Sequence, residues 1–175
     1  MRISVAIDTL RRADLGTLQI ASVGAFALHN CEEIPTLSDW ISRTVPSLGH
    51  LVTCGAPGIL IAATLLTVCY ALAVFFTYRK SGTIPLVVFA TAYSAVFANA
   101  IAHVALAAVF WAYVPGLVTS AMLIVPLSVL IYRRIVQERH LTALGLAGVV
   151  VAGAALVYPA SYGALSVAGA LSRCT

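Results

Sequence analysis

Long apolar runs separated by short polar connections dominate this chain. The runs predict five transmembrane helices, each near the roughly 20 residues that cross a bilayer, at about residues 15–34, 57–78, 84–110, 116–132 and 141–165. Pro35 ends the first run because the residue before a proline disfavours helix, and Pro159 kinks or breaks the fifth. We therefore expect an all-α fold, a polytopic membrane helix bundle that forms a single domain over residues 1–175.

The composition strengthens this prediction. Of the 175 residues, 61% are hydrophobic and only 9% are charged, whereas about 25% of a typical soluble domain is charged. The net charge of +4 would favour nucleic-acid binding in a soluble protein, but here the basic residues lie in short loops. We expect an integral membrane protein whose partner is the lipid bilayer and not nucleic acid. A homodimer is compatible with so small a bundle, although the sequence shows no interface signature.

The basic residues predict the orientation, since cytoplasmic loops carry an excess of lysine and arginine. Five spans place only Arg43 and Arg173 on one side of the membrane. The other side holds Arg2, Arg11, Arg12, Arg79, Lys80, Arg133, Arg134 and Arg139. We therefore expect the N-terminus inside, the C-terminus outside and residues 1–14 as a cytoplasmic arm.

The first run ends in a polar cluster, His29-Asn30-Cys31-Glu32-Glu33. The purely apolar part of this run, Leu15 to Leu28, has only 14 residues, which is too few to span a bilayer. The cluster must therefore complete the helix and lie near the outer face. Ionisable side chains inside a membrane are costly, and they commonly mark functional sites.

A second polar pair, Asn99 and His103, lies in the third run at the same predicted depth. At 1.5 Å per residue, Glu33 is about 27 Å along its helix and His103 is about 27 Å along the third. His29 and Glu33 are four residues apart and share a helix face, as do Asn99 and His103. With Glu32 beside them, the two faces would form a pocket of two imidazoles, two carboxylates and a carboxamide.

Such a donor set suits a divalent metal ion such as zinc, iron or manganese, as in helix bundles that hold metals with glutamate and histidine. We expect His29, Glu33 and His103 as ligands, with Glu32 as a further ligand or general base. Asn99 would orient a ligand or bind a substrate oxygen. These roles predict a membrane enzyme, of a hydrolase or oxidoreductase type, that acts on a lipophilic substrate near the outer face.

Two other functions stay open. Without a metal, Glu32 or Glu33 with a histidine would act as an acid–base pair of an isomerase or cyclase. From a different class, intramembrane ionisable groups also serve in small transporters and channel subunits. The inner half of the predicted bundle disfavours a path through the membrane, because its polar residues are few: Gln19, Thr67, Thr77 and Ser128.

Several positions are weaker candidates. Thr119 and Ser120 begin the fourth run at the depth of the cluster, where they would donate hydrogen bonds to the site. His50 lies in the outer loop, where it would cap the site or simply be solvated. A disulfide is an open alternative near this face, among Cys31, Cys54 and Cys174.

The segments His29-Asn-Cys-Glu-Glu33, Asn99-Ala-Ile-Ala-His103 and Tyr113-Val-Pro-Gly116 together resemble a family of small bacterial integral membrane proteins with an HXXEE motif. The resemblance covers nearly the whole chain. It implies a bacterial cytoplasmic membrane location, and it implies as functional residues His29, Glu32, Glu33, Asn99 and His103. The family carries no settled function, so the resemblance implies a site without naming a reaction.

Overall fold

The computed structural model describes residues 13–52, 54–138 and 141–172, so most of the predicted arm lies outside the described residues. In these ranges most residues are helical and none lies in a strand, which confirms the all-α fold. The helices are α1 (Leu15–Glu33), α2 (Leu37–Thr44), a 3-10 helix (Pro46–Leu51), α3 (Gly55–Thr77), α4 (Thr83–Phe110), α5 (Leu117–Gln137) and α6 (Ala143–Ser172).

Four of the described helices are long and apolar enough to cross a membrane: α3, α4, α5 and α6. This finding indicates an integral membrane protein, but it does not confirm the predicted fifth span. That span corresponds to α1, whose 19 residues have a lower mean hydropathy because polar side chains interrupt them. Most of these side chains are buried inside the bundle, namely Gln19, Ser22, His29, Asn30 and Glu33.

The helices form a bundle of four with a fifth helix outside it. α1 packs against α3 and α5, and α4 packs against the same two helices, so α1 and α4 face each other diagonally across the bundle. α6 packs on the outer side of α3 and α4. Among the most deeply buried core side chains are Leu18, Phe89, Tyr93, Ile131 and Ile135.

Contacts at one end of the bundle show how the helices alternate in direction. Asp14 begins α1, because its carboxylate accepts a hydrogen bond from the Thr17 amide at 2.6 Å. Arg79, between α3 and α4, lies 3.9 Å from Asp14. Arg134, near the end of α5, donates to the Ala13 carbonyl at 2.8 Å. The start of α1 therefore lies beside the end of α5, and the end of α1 lies beside the start of α5 and the end of α4.

The bundle interior is more polar than the sequence predicted. Hydroxyl pairs join neighbouring helices, each with its two oxygens 2.5–2.9 Å apart: Ser22 with Tyr70, Tyr93 with Ser128, and Ser94 with Tyr132. Tyrosine rings are also common at membrane interfaces, so the sequence does not distinguish these interior tyrosines from interfacial ones. The bundle interior therefore holds more polar groups than Gln19, Thr67, Thr77 and Ser128, and their scarcity no longer disfavours a path through the membrane.

Candidate metal centre

The last turn of α1 and the outer half of α4 bring three ionisable side chains together. His29 is fully buried, and its Nε2 lies 3.3 Å from Glu33 Oε1, one turn further along α1. His103 reaches across from α4 and places its Nε2 2.7 Å from the same carboxylate oxygen. One ligand atom from each of the three side chains lies within 4.8 Å of the other two.

Asn99 completes this cluster from one turn earlier on α4. Its amide nitrogen lies 3.1 Å from His29 Nε2 and 3.2 Å from His103 Nε2. The four side chains that the sequence placed at one depth therefore converge on one small volume. Both helices contribute residues four apart, because that spacing puts side chains on the same face.

The available hydrogen-bond partners restrict which atoms of these side chains carry protons. His103 Nδ1 is buried with no hydrogen-bond partner among the described residues, so a proton there would be unpaired. A neutral His103 ring therefore carries its proton on Nε2, where it donates to Glu33. Apart from this proton and the amide of Asn99, the cluster directs only lone pairs at its centre. Several lone pairs directed at one point are an arrangement that a cation would stabilise.

Glu32 does not join this cluster, contrary to its predicted role as a further ligand or general base. Its carboxylate accepts hydrogen bonds from Tyr113 Oη at 2.7 Å, the Val118 amide at 3.0 Å, and the amide and hydroxyl of Thr119 at 2.8 and 2.6 Å. These amides belong to the first turn of α5, which otherwise has unpaired N–H groups. Glu32 therefore caps α5.

Tyr113 lies in the connection between α4 and α5, and its phenol donates a hydrogen bond to the Glu32 carboxylate. Partial burial raises the pKa of the Tyr113 phenol to about 12, together with its hydrogen bond to Glu32 and the negative charge of Glu32. The phenol therefore stays protonated at neutral pH and remains a hydrogen-bond donor. It supports the cap of α5 rather than the cluster around Glu33.

Residues at the start of α5 and just before it contact the cluster in two places. His29 Nδ1 lies 3.0 Å from Thr119 Oγ1 and 3.4 Å from Ser120 Oγ, so these two weaker candidates do contact the site. Gly116 has φ +84°, and a Cβ at this position would lie 2.6 Å from His29 Cε1 and 3.2 Å from Glu33. The Tyr113-Val-Pro-Gly116 segment thus does more than start a helix, because its glycine lets the backbone approach the site.

Two features beside the site were not predicted from the sequence. Asn30 donates to Thr67 Oγ1 at 2.7 Å and to the Ala63 carbonyl at 3.3 Å, which ties α1 to α3 beside the site. Residues 120–124 of α5 form a π-helical turn directly after Thr119. Pro126 lies just beyond this turn, and its missing N–H offers the local signal that a sequence analysis would need.

The structure does not place His50 at the site. Its Nδ1 lies 2.9 Å from the Ser47 carbonyl, and its side chain lines a separate cavity of about 210 Å³ between the start of α3 and α6. Tyr162 and Ser166 line the same cavity. Cys31 is exposed and has a free thiol, whereas Cys174 lies outside the described residues.

The site-bearing helices are the part of the chain that matches a known family. A family model described as "protein of unknown function with HXXEE motif" matches residues 20–131. This chain belongs to that family. The match confirms the resemblance seen in the sequence, and it spans His29, Glu32, Glu33, Asn99 and His103 but not α6. No curated protein and no solved structure matches the chain.

Proposed function

We propose that this HXXEE-family protein is an integral membrane enzyme that acts on a lipophilic substrate at a divalent metal ion. The ligands would be His29, Glu33 and His103. The observation that supports the proposal is the convergence of their three ligand atoms within 4.8 Å, from two helices, with all three residues buried inside the bundle. Burying these groups side by side is costly, and a bound cation would offset that cost.

The geometry fits such an ion after a small adjustment. Tetrahedral ligands about 2.1 Å from a zinc ion lie roughly 3.4 Å from one another. The distance from Glu33 Oε1 to His29 Nε2 is already 3.3 Å. The distance to His103 Nε2 is 2.7 Å, so these two atoms would need to separate by a few tenths of an ångström. A rotation of either side chain supplies that movement.

Two imidazoles and one carboxylate form the donor set of both catalytic zinc sites and non-haem iron sites. When bound, such an ion polarises a substrate oxygen or lowers the pKa of a bound water. Asn99 is placed to bind a substrate oxygen or to orient the two imidazoles, because its amide contacts both. Glu32 would act through Thr119 and α5 rather than as a ligand.

The setting in the membrane supports a lipophilic substrate. We propose α1 as a fifth span, with the N-terminus inside, the C-terminus outside and the site near the outer face of a bacterial cytoplasmic membrane. α1 is about 28 Å long at 1.5 Å per residue, close to the thickness of the hydrocarbon core. Its polar side chains face the bundle interior and so do not oppose insertion. The substrate would enter laterally from the lipid or from the outer leaflet.

Elemental analysis of the purified protein tests the metal. The protein should be prepared with an affinity tag free of histidine, so that the tag binds no metal. We expect about one zinc, iron or manganese ion per chain, with loss of the ion in His29→Ala, His103→Ala and Glu33→Gln. His50→Ala is the matched control, since His50 lies outside the cluster, and it should keep the ion. A folded wild-type protein without stoichiometric metal would overturn this proposal.

The second candidate is a metal-free isomerase or cyclase that uses Glu33 and His103 as an acid–base pair. Two observations favour it. The 2.7 Å distance between Glu33 Oε1 and His103 Nε2 is that of a strong hydrogen bond. Within the part of the chain that the structure describes, His103 Nδ1 also lacks the hydrogen-bond partner that orients most metal-bound histidines. The same elemental analysis separates the two candidates, because only the first requires a stoichiometric ion.

A further inference from the structure

The Glu32 carboxylate is fully engaged by α5 and its preceding loop. Oε1 accepts from Tyr113 Oη and the Val118 amide, and Oε2 accepts from the amide and the hydroxyl of Thr119. An ionised carboxylate only accepts hydrogen bonds, so each of these contacts identifies its partner as the donor. The Thr119 hydroxyl also lies 3.3 Å from the Gly116 carbonyl. It donates its one proton to Glu32, because the carboxylate is charged and much closer, at 2.6 Å.

Because the Thr119 hydroxyl donates to Glu32, the direction of its hydrogen bond with His29 is also determined. Thr119 Oγ1 also lies 3.0 Å from His29 Nδ1. Since its proton is already donated, the hydroxyl oxygen accepts here, and His29 Nδ1 must carry the hydrogen. A neutral imidazole has one N–H. His29 Nε2 is therefore left with its lone pair, which faces Glu33, Asn99 and His103.

We propose that Glu32 and Thr119 are positioning residues that hold His29 in the Nδ1–H tautomer and so keep the Nε2 lone pair directed into the cluster. The inference rests on the proposed function only for its effect on metal affinity, because the tautomer itself is independent of any metal. It gives the two glutamates of the motif different tasks: Glu33 is a member of the cluster, and Glu32 acts on the cluster through a hydroxyl.

His103 provides an internal contrast. Its Nδ1 has no partner among the described residues, so a neutral His103 ring keeps its proton on Nε2, where it donates to Glu33. His29, by contrast, has Thr119 at 3.0 Å and Ser120 Oγ at 3.4 Å from Nδ1. Of the two imidazoles, His29 is therefore the one whose Nε2 lone pair is directed into the cluster before any metal binds. A variant that removes the relay should alter the tautomer of His29 selectively.

Nitrogen-15 NMR of histidine-labelled, metal-free protein tests the tautomer directly. The spectra should be taken well above the usual histidine pKa of about 6.5, with His29 assigned by the loss of its signals in His29→Gln. We expect Nδ1–H in the wild type. The double variant Thr119→Val with Ser120→Ala removes both hydroxyls near Nδ1 and should shift His29 toward Nε2–H.

Three control variants separate positioning from mere folding. Thr119→Ser keeps the hydroxyl and should preserve the tautomer, as should Ser120→Ala alone. Thr64→Val, at an exposed position of α3, makes the same exchange away from the site and should change nothing. If the double variant folds and His29 stays in the Nδ1–H form, Glu32 and Thr119 only cap α5 and the inference is wrong.

Metal titration adds a second readout that keeps the two proposals distinguishable. Loss of such an orienting hydrogen bond typically weakens metal binding by about 10–100-fold, so we expect that loss of affinity in the double variant and near wild-type affinity in Thr119→Ser. A wild type that binds no metal would overturn the proposed function while leaving the tautomer result intact. An unchanged tautomer would overturn the relay even if the metal is present.

Discussion

At the residue scale, the adjacent carboxylates Glu32 and Glu33 lie in different environments. Successive residues of a helix point about 100° apart, so one glutamate faces α4 while the other reaches the start of α5. Glu33 is 8% exposed and lies between two imidazoles. Glu32 is half-buried, and its partners are backbone amides and hydroxyls of the connection and α5. The motif therefore combines Glu33, whose carboxylate belongs to the cluster, with Glu32, whose carboxylate caps α5.

Gly116 tests how tightly this site is packed. Gly116→Ala introduces a Cβ that would overlap His29 Cε1 at 2.6 Å, and it forces a side chain into a φ of +84°, which costs about 1–3 kcal/mol. We expect a lower thermal unfolding midpoint and weakened metal binding. Gly24→Ala is the control on α1, since no described atom lies within 4 Å of its Cβ position. Equal midpoints for the two variants would contradict this packing.

At the element scale, α1 and α5 depart most from simple apolar spans. α1 carries buried polar residues along one side and hydrogen-bonds through them to α3, α4 and α5. α5 contains the π-helical turn at 120–124, and the Ser128 hydroxyl bonds to the Ile124 carbonyl at its end. Such turns shift the register of the helix, and they occur frequently at functional sites.

The contact between α4 and α6 is close at one of the three glycines in the first half of α6. A Cβ at Gly153 would overlap Ser94 and lie 2.6 Å from the Thr91 carbonyl, whereas Gly148 meets no described atom within 4 Å and Gly145 meets only residues of its own segment. Small residues allow such close approach between membrane helices. Of these three glycines, Gly153 is therefore the one that lets α6 approach the α4 backbone closely.

We expect Gly153→Ala to push α6 away from α4 and to destabilise the protein by about 1–3 kcal/mol, with the metal content unchanged, because α6 carries no residue of the cluster. Thermal unfolding in detergent measures the effect. Gly148→Ala is the matched control on the same helix and should unfold with the wild type. If the two variants unfold at the same temperature, α6 does not pack through Gly153.

At the scale of the whole molecule, the family match and the bundle architecture agree. Residues 20–131 run from within α1 to within α5 and include most of both helices. These are the helices that enclose the cluster. α6 lies outside both the match and the four-helix bundle. A single domain over residues 1–175, a homodimer and a bacterial cytoplasmic location stay predictions.

The orientation is tested by labelling single cysteines in intact cells. All four native cysteines should be replaced first, since Cys31 is exposed and has a free thiol. A membrane-impermeant reagent should then label Ser47→Cys without treatment, and Ser81→Cys only after permeabilisation, because both positions are exposed at opposite ends of α3. Labelling of Ser81→Cys alone in intact cells would mean that the topology is inverted.

The same experiment decides the number of spans. α1 begins beside the connection that holds Ser81, since Asp14 lies 3.9 Å from Arg79, and it ends before the connection that holds Ser47. A cysteine at Thr17, exposed at the start of α1, should behave like Ser81→Cys if α1 crosses the membrane. If Thr17→Cys is labelled in intact cells together with Ser47→Cys, α1 is not a span, and the bundle has the four apolar spans alone.

The sequence by itself determined the helical class, the membrane character and the residues of the cluster. These follow from short-range properties: hydropathy over about 20 residues, the rise of a helix and the spacing of four residues that puts side chains on one face. His29, Glu33, Asn99 and His103 were found in this way. These side chains meet because the two helices run in the same direction, so residues at equal distances from the two helix starts lie level with each other.

Only the tertiary structure decided what each residue contacts. The rotation of a helix about its axis sets whether Glu32 faces α4 or α5, and no pattern along α1 contains that angle. The same holds for His50, which lines another cavity. It also holds for Tyr70 and Tyr93, whose hydroxyls hydrogen-bond to serines of neighbouring helices inside the bundle. The sequence determined which groups lie at one depth, and packing between helices decided which of them meet.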